Sequence, residues 1–221
     1  MKYQEFLELL ESKSDKKFAE FSKSLSNSDY ISIGVKNPVL REIVKEHFGD
    51  KELKLEDFEL GKYLEVDFVY FGLGVCREKT TKDKLNFLKA NIHKAKSWAI
   101  TDMVSTYIKK ITFEEYWDFF LSLYQSKCTY DRRMAYVLGL KLYKDERILN
   151  ILSYINVNEE YMVMMSEAWL LATIAISFPD AIYEFLCGTN DNTLKRKTIS
   201  KMVDSFRIDD ETKEKFKKLR K

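Results

Sequence analysis

The stretch SWAITDMVSTYIKKI, Ser97 to Ile111, carries the period of an amphipathic helix. At about 100° per residue, Ile100, Met103, Val104, Tyr107, Ile108 and Ile111 fall on one face, the stripe of a helix packed on a core. Trp98, Asp102, Ser105 and Lys109 fall on the other. Trp98 and Asp102 stand at i and i+4, so indole and carboxylate lie one turn apart on the side facing away from the core. That placement has two readings. In the first, Trp98 packs against a neighbouring helix and Asp102 caps or ion-pairs nearby. In the second, the aromatic face lies against a deoxyribose or a cationic base, and the carboxylate stabilises positive charge developing on a sugar as a glycosidic bond breaks. Such a pair suits N-glycoside cleavage.

The same three- and four-residue spacing recurs on both sides of this stretch: Phe6, Leu9 and Leu10; Phe18, Phe21 and Leu25; Leu40, Ile43, Val44 and Phe48. Breaks fall at Ser12 to Asp15, Ser26 to Pro38, Gly49 to Glu56, Lys79 to Lys82, Ser126 to Tyr130, Asn156 to Glu159, Thr189 to Thr193 and Ile208 to Asp210. Several breaks offer side-chain oxygens to the unpaired N–H groups of a helix start: Ser12 to Asp15, Thr112 before Phe113-Glu114-Glu115, and Asn192-Thr193. Helices of roughly 10–18 residues joined by short connections predict antiparallel pairs. No tetratricopeptide- or ankyrin-like signature repeats, so periodicity alone leaves open a stacked array and an irregular bundle.

Composition bounds the rest. With 221 residues and 45% hydrophobic content, the chain can bury a core, and one domain over residues 1–221 is expected. Two prolines, Pro38 and Pro179, and seven glycines are too little punctuation for a many-stranded sandwich, which makes the chain all-α. Lys and Arg number 37 against 35 Asp and Glu, so any attraction to nucleic acid must be local. Cys76, Cys128 and Cys187 lack Cys-x-x-Cys spacing and, with His47 and His93, make no zinc set. They read as buried thiols in a reducing compartment, with neither metal nor cofactor expected. The start MKYQEFLELLESKSDKK lacks the apolar run of a secretory signal, and no later run spans a membrane. A cytoplasmic location and a monomer are expected.

Five segments in order carry a resemblance: IGVKNPVLREIVKEHF (Ile33 to Phe48), KSWAITDMV (Lys96 to Val104), DRRMAYVLGLKLYK (Asp131 to Lys144), EAWLLATIAISFPD (Glu167 to Asp180) and TLKRKTISKM (Thr193 to Met202). Together they resemble the AlkD-type alkylpurine DNA glycosylases of the DNA alkylation-repair family, over nearly the whole chain. The resemblance implies a HEAT-like-repeat α-solenoid of stacked antiparallel helix pairs, curved with a concave face. It also implies removal of cationic N3- and N7-alkylpurines from duplex DNA without flipping the base, unlike most glycosylases. Carried over residue by residue, it makes Asp102 the catalytic carboxylate, sets Trp98 and Trp169 beside the lesion, and brings Arg133 close to DNA. Alkylation makes the purine a good leaving group, so electrostatic stabilisation at the sugar replaces a strong general acid.

Each further residue also has a plainer reading. Trp169 lies in MVMMSEAWLLATIAI, apolar all round, where a buried packing tryptophan is equally at home. Arg133 shares a helical face with Val137 and Leu140 and suits a paired structural arginine. Lys195, Arg196, Lys197 and Lys201 form a basic cluster that, with Lys109, suits phosphates or simply faces solvent.

Departures from the family pattern lie around the catalytic pair. The family commonly places a cation four residues before the second tryptophan and an arginine three after it; this chain has Met165 and Ala172. The stretch Ser22 to Tyr30 holds one lysine where basic and aromatic residues are usual, and GKYLEVDFVYFGLG, Gly61 to Gly74, is more apolar and acidic than its counterpart. Weaker DNA binding follows. The alternative to an active glycosylase is a catalytically silent paralogue acting as a weak DNA-binding or interaction scaffold; a peptide-binding solenoid would need an apolar groove instead.

Overall fold

The structure, a computed structural model, describes residues 1–26, 29–155 and 159–220; parts of the breaks expected at Ser26 to Pro38 and Asn156 to Glu159, with the side chain of Leu25, lie outside the described residues. Among the described residues the regular structure is helical. The α-helices are α1 (Tyr3–Ser12), α2 (Lys16–Ser26), α3 (Asn37–His47), α4 (Leu64–Arg77), α5 (Thr81–Asn91), α6 (Trp98–Ser105), α7 (Phe113–Leu123), α8 (Thr129–Gly139), α9 (Tyr161–Ile174), α10 (Pro179–Gly188), α11 (Asn192–Val203) and α12 (Asp210–Lys217). Helices pack on their chain neighbours or on the next but one, the helix-on-helix packing of an α-solenoid. The chain divides into two compact units, Met1–Lys109 and Lys110–Lys221.

Many helix starts follow the capping chemistry read from the sequence. Asp15 Oδ1 accepts from the N–H groups of Lys17 and Phe18. Thr112 and Glu115 form a reciprocal capping box on α7. At α11 the cap is Asp191, one residue before the expected Asn192-Thr193, because its carboxylate takes two N–H groups at once, those of Thr193 and Leu194 at 2.9 Å. Helix ends were less legible. The segment read as helical to Lys144 leaves α-geometry after Gly139 and continues as 3-10 turns over Leu140–Leu142 and Glu146–Tyr154.

In the first unit α3, α5 and α6 pack on α4, whose residues from Glu65 to Val75 are all buried. A side chain at Gly74 would sit 1.9 Å from the Phe87 ring, so its glycine is what admits α5 at this distance. Two carboxylates are buried on α4. Glu65 accepts from the Ser32 hydroxyl and from the N–H groups of Ile33, Gly34 and Val35, fastening the loop before α3. Gly34 turns that loop at φ 95°, and a Cβ there would meet the Asp15 carbonyl oxygen at 2.3 Å. Asp67 accepts from the Tyr30 hydroxyl and from Gly61 N–H, and burial pushes its carboxyl up to about 6 against these hydrogen bonds.

In the second unit α9 packs against α8, α10 and α11. A ladder of stacked rings on α7, Phe113, Trp117, Phe120 and Tyr124, has centroids 5.2–5.4 Å apart, and Tyr154 meets three of them edge-on.

Candidate functional site

The expected site residues divide between the two units: Trp98, Asp102 and Lys109 in the first, Arg133, Trp169, Lys195, Arg196 and Lys197 in the second.

Helix α6 is short and firmly attached. Its N-cap is the buried Ser97, whose hydroxyl oxygen accepts from Ala99 N–H at 3.2 Å. The preceding Lys96 N–H donates to the Tyr30 hydroxyl oxygen at 3.2 Å, and that hydroxyl in turn donates to Asp67. Hydrogen bonds therefore run from the core helix α4 to the first turn of α6. Ile100, Met103, Val104 and Ile108 are buried as the period predicts. Trp98 and Asp102 are half-exposed, one turn apart on the helix. The buried Thr101 hydroxyl shares its one proton between the Trp98 carbonyl at 2.8 Å and Asp102 Oδ1 at 3.2 Å.

Two features of the wheel need correction. The helix stops at Ser105 rather than running to Ile111, so Lys109 is exposed in the following loop and does not extend the Trp98–Asp102 face. Ser105, placed on the polar face, is 8% exposed because its hydroxyl folds back to the Asp102 carbonyl at 2.7 Å. Thr106 does the same to Met103, and the N–H groups of Thr106, Tyr107 and Ile108 close i→i−3 turns. Hydroxyls that take up carbonyls in this way tighten and terminate a helix without glycine or proline.

In the second unit Arg133 is 5% exposed and donates Nη1 to the Met162 carbonyl at 2.6 Å, tying α8 to the first turn of α9. Trp169 is half-exposed rather than buried. On α9, apolar nearly throughout, Val163, Met164, Ser166 to Ala168 and Leu170 to Ile174 are buried; of the four residues left, Met162 stands alone and Tyr161, Met165 and Trp169 form an outward line at i, i+4 and i+8. Uniform hydrophobicity concealed which side faces solvent. Of the two departures beside Trp169, Met165 lies on that line and Ala172 is 5% exposed.

The basic cluster on α11 is divided around its helix. Lys197 Nζ lies 5.7 Å from the Tyr161 ring centroid, and Lys201 Nζ lies 5.8 Å from the Trp169 ring centroid. Arg196 is exposed, with Nε donating to Asn192 O of its own helix, and Lys195 stands about 200° round from Lys197. Tyr161 was not singled out from the sequence. Lys201, four residues along α11 from Lys197 and the partner of Trp169, was visible there only as one more lysine of a run.

The cysteines depart from the expectation of buried thiols: Cys76 and Cys128 are half-buried, and Cys187 is exposed on the face of α10 opposite the buried Ile182 and Leu186. Among the described residues, no group of three or more His, Cys, Asp and Glu could hold a metal, and no helix is long and apolar enough to cross a membrane.

No curated protein and no solved structure matches the chain. A family model described as DNA alkylation repair enzyme matches residues 6–202, from α1 through α11 and across both units. With that span matched, the chain belongs to the DNA alkylation repair enzyme family and has its role in DNA alkylation repair.

Proposed function

We propose that the protein is a DNA N-glycosylase that excises cationic N3- and N7-alkylpurines from duplex DNA without flipping the base. The observation that carries this reading is the half-exposed Trp98–Asp102 pair on a helix whose other face is buried. The Trp98 face is suited to lie against the deoxyribose. As the C1′–N bond breaks, its electron pair passes to the purine and neutralises the ring, and the sugar becomes an oxocarbenium ion. The Asp102 carboxylate, positioned by Thr101, stabilises that ion and orients the water that adds to C1′ and gives up a proton. Trp169 serves as the second lesion-flanking ring. Lys109 and Lys197 supply cations for the phosphates, Lys195 and Arg196 stand on other faces of α11 and are left out of that contact, and Arg133, held on the Met162 carbonyl, acts on DNA through the helices it joins. The reaction uses no cofactor and no metal, and the reading is of a cytoplasmic monomer with one functional domain.

Release of 7-methylguanine or 3-methyladenine from alkylated duplex DNA tests this. Wild-type protein should release the base, and Asp102→Asn should lose at least about 100-fold in rate, the scale of removing one electrostatic stabiliser. Equal background release by both proteins would overturn it. A second reading, a catalytically silent paralogue that binds DNA or another partner as a scaffold, is favoured by Met165 and Ala172 standing where the resemblance expects cations.

A further inference from the structure

We infer that α9 and α11 together form a docking strip for one strand of the DNA backbone, with Lys197 and Lys201 as its phosphate ligands and Tyr161, Met165 and Trp169 as its floor. The inference rests on the reading of the partner as DNA and assigns the contact to particular atoms. It also answers the loss of cations from α9, since charge reaches the Trp169 face from the neighbouring helix.

The geometry is periodic on both helices. Tyr161 and Trp169 are eight residues apart on α9, about 12 Å along the axis; Lys197 and Lys201 are four apart on α11, about 6 Å. Each lysine stands over one ring, at 5.7 and 5.8 Å from the centroids. Tyr161 is 56% exposed, and Met165 and Trp169 are half-buried, so the rings and thioether offer an apolar surface for deoxyribose between two ammonium groups. A ring held against an ammonium restrains the long side chain, reducing the entropy lost when it meets a phosphate. Glu160, just before Tyr161, is drawn off the strip by Arg132 at 2.9 Å and by the Thr129 hydroxyl.

Lys195 and Arg196 provide an internal control on the same helix, carrying the same charge on other faces. The experiment compares Lys197→Gln/Lys201→Gln with Lys195→Gln/Arg196→Gln, in the full chain, for binding an unmodified DNA duplex across a salt series. Wild-type log affinity should fall with log salt more steeply than that of the Lys197/Lys201 variant by about 1.8, two phosphate contacts at about 0.9 each. The ratio of their affinities should then shrink roughly 12-fold between 50 and 200 mM salt. The Lys195/Arg196 variant should keep a slope near that of wild type. In a Trp98→Phe background, Trp169→Phe should remove most of the remaining change in indole emission on binding, which reports the floor separately from the charges.

Equal slope changes for the two variants would overturn the strip, as would absence of wild-type binding at 20 mM salt. Because unmodified DNA is used, the outcome is independent of excision. Alkylpurine release with equal slope changes removes the strip alone, and absent release with a selective slope change removes the glycosylase alone.

Discussion

Asp67 has no exposed surface, yet it accepts from Tyr30 and Gly61, and its carboxyl is raised from 3.8 to about 6, chiefly by burial. The consequence for stability has a definite sign. The folded state holds the proton more tightly than the unfolded chain, so the contribution is present in full below about pH 4 and is lost as pH rises through about 6. A shift of this size corresponds to roughly 3 kcal/mol. Asp67→Asn keeps a hydrogen-bonding group in place and removes the ionisation. Its stability relative to wild type, from urea midpoints, should therefore rise between pH 4 and pH 7.5 by up to that amount; parallel profiles for the two proteins would contradict the assignment. This group was not legible from its neighbours, since Asp67 lies in an apolar run and its partners come from Tyr30 and Gly61, far away or across a loop. Asp102, by contrast, was legible because both the i,i+4 relation to Trp98 and the buried stripe opposite are local consequences of the helical period.

Among the elements, α6 shows both what a period reveals and where it stops. Its core stripe was readable from spacing, but its end was not, because two hydroxyls and a tight turn end it where no glycine or proline stands. Helix α9 presents the opposite difficulty: its apolar character is plain, and only its neighbours decide that Tyr161, Met165 and Trp169 face outward. On α11 the division of the basic run around the helix follows from its period, whereas the rings beneath Lys197 and Lys201 come from a segment some thirty residues earlier. Starts are easier than ends, since a cap is a single side chain acting within three residues. Ser97 makes the point testable. Replacement of this cap by alanine should cost about 1 kcal/mol in urea unfolding, and replacement by glycine only about a few tenths of a kcal/mol. Equal stability of Ser97→Ala and wild type would show that α6 is fixed by Lys96 and its packing instead.

Across the whole molecule, positive and negative charges nearly balance, so recognition of a polyanion has to be organised in places rather than spread over the surface. The family match crosses both compact units. Within the first unit, the four donors gathered on Glu65 join an irregular loop to the central helix. Amide hydrogens in such a loop ordinarily exchange with solvent quickly, but those of Ile33, Gly34 and Val35 are released only when α4 lets go of its carboxylate. In native-state hydrogen exchange they should be as slow as the amides in the middle of α4, and Glu65→Gln should speed the loop while leaving the helix slow. A segment without regular structure would then belong to the cooperative heart of its unit, its order borrowed from a helix some thirty residues later in the chain.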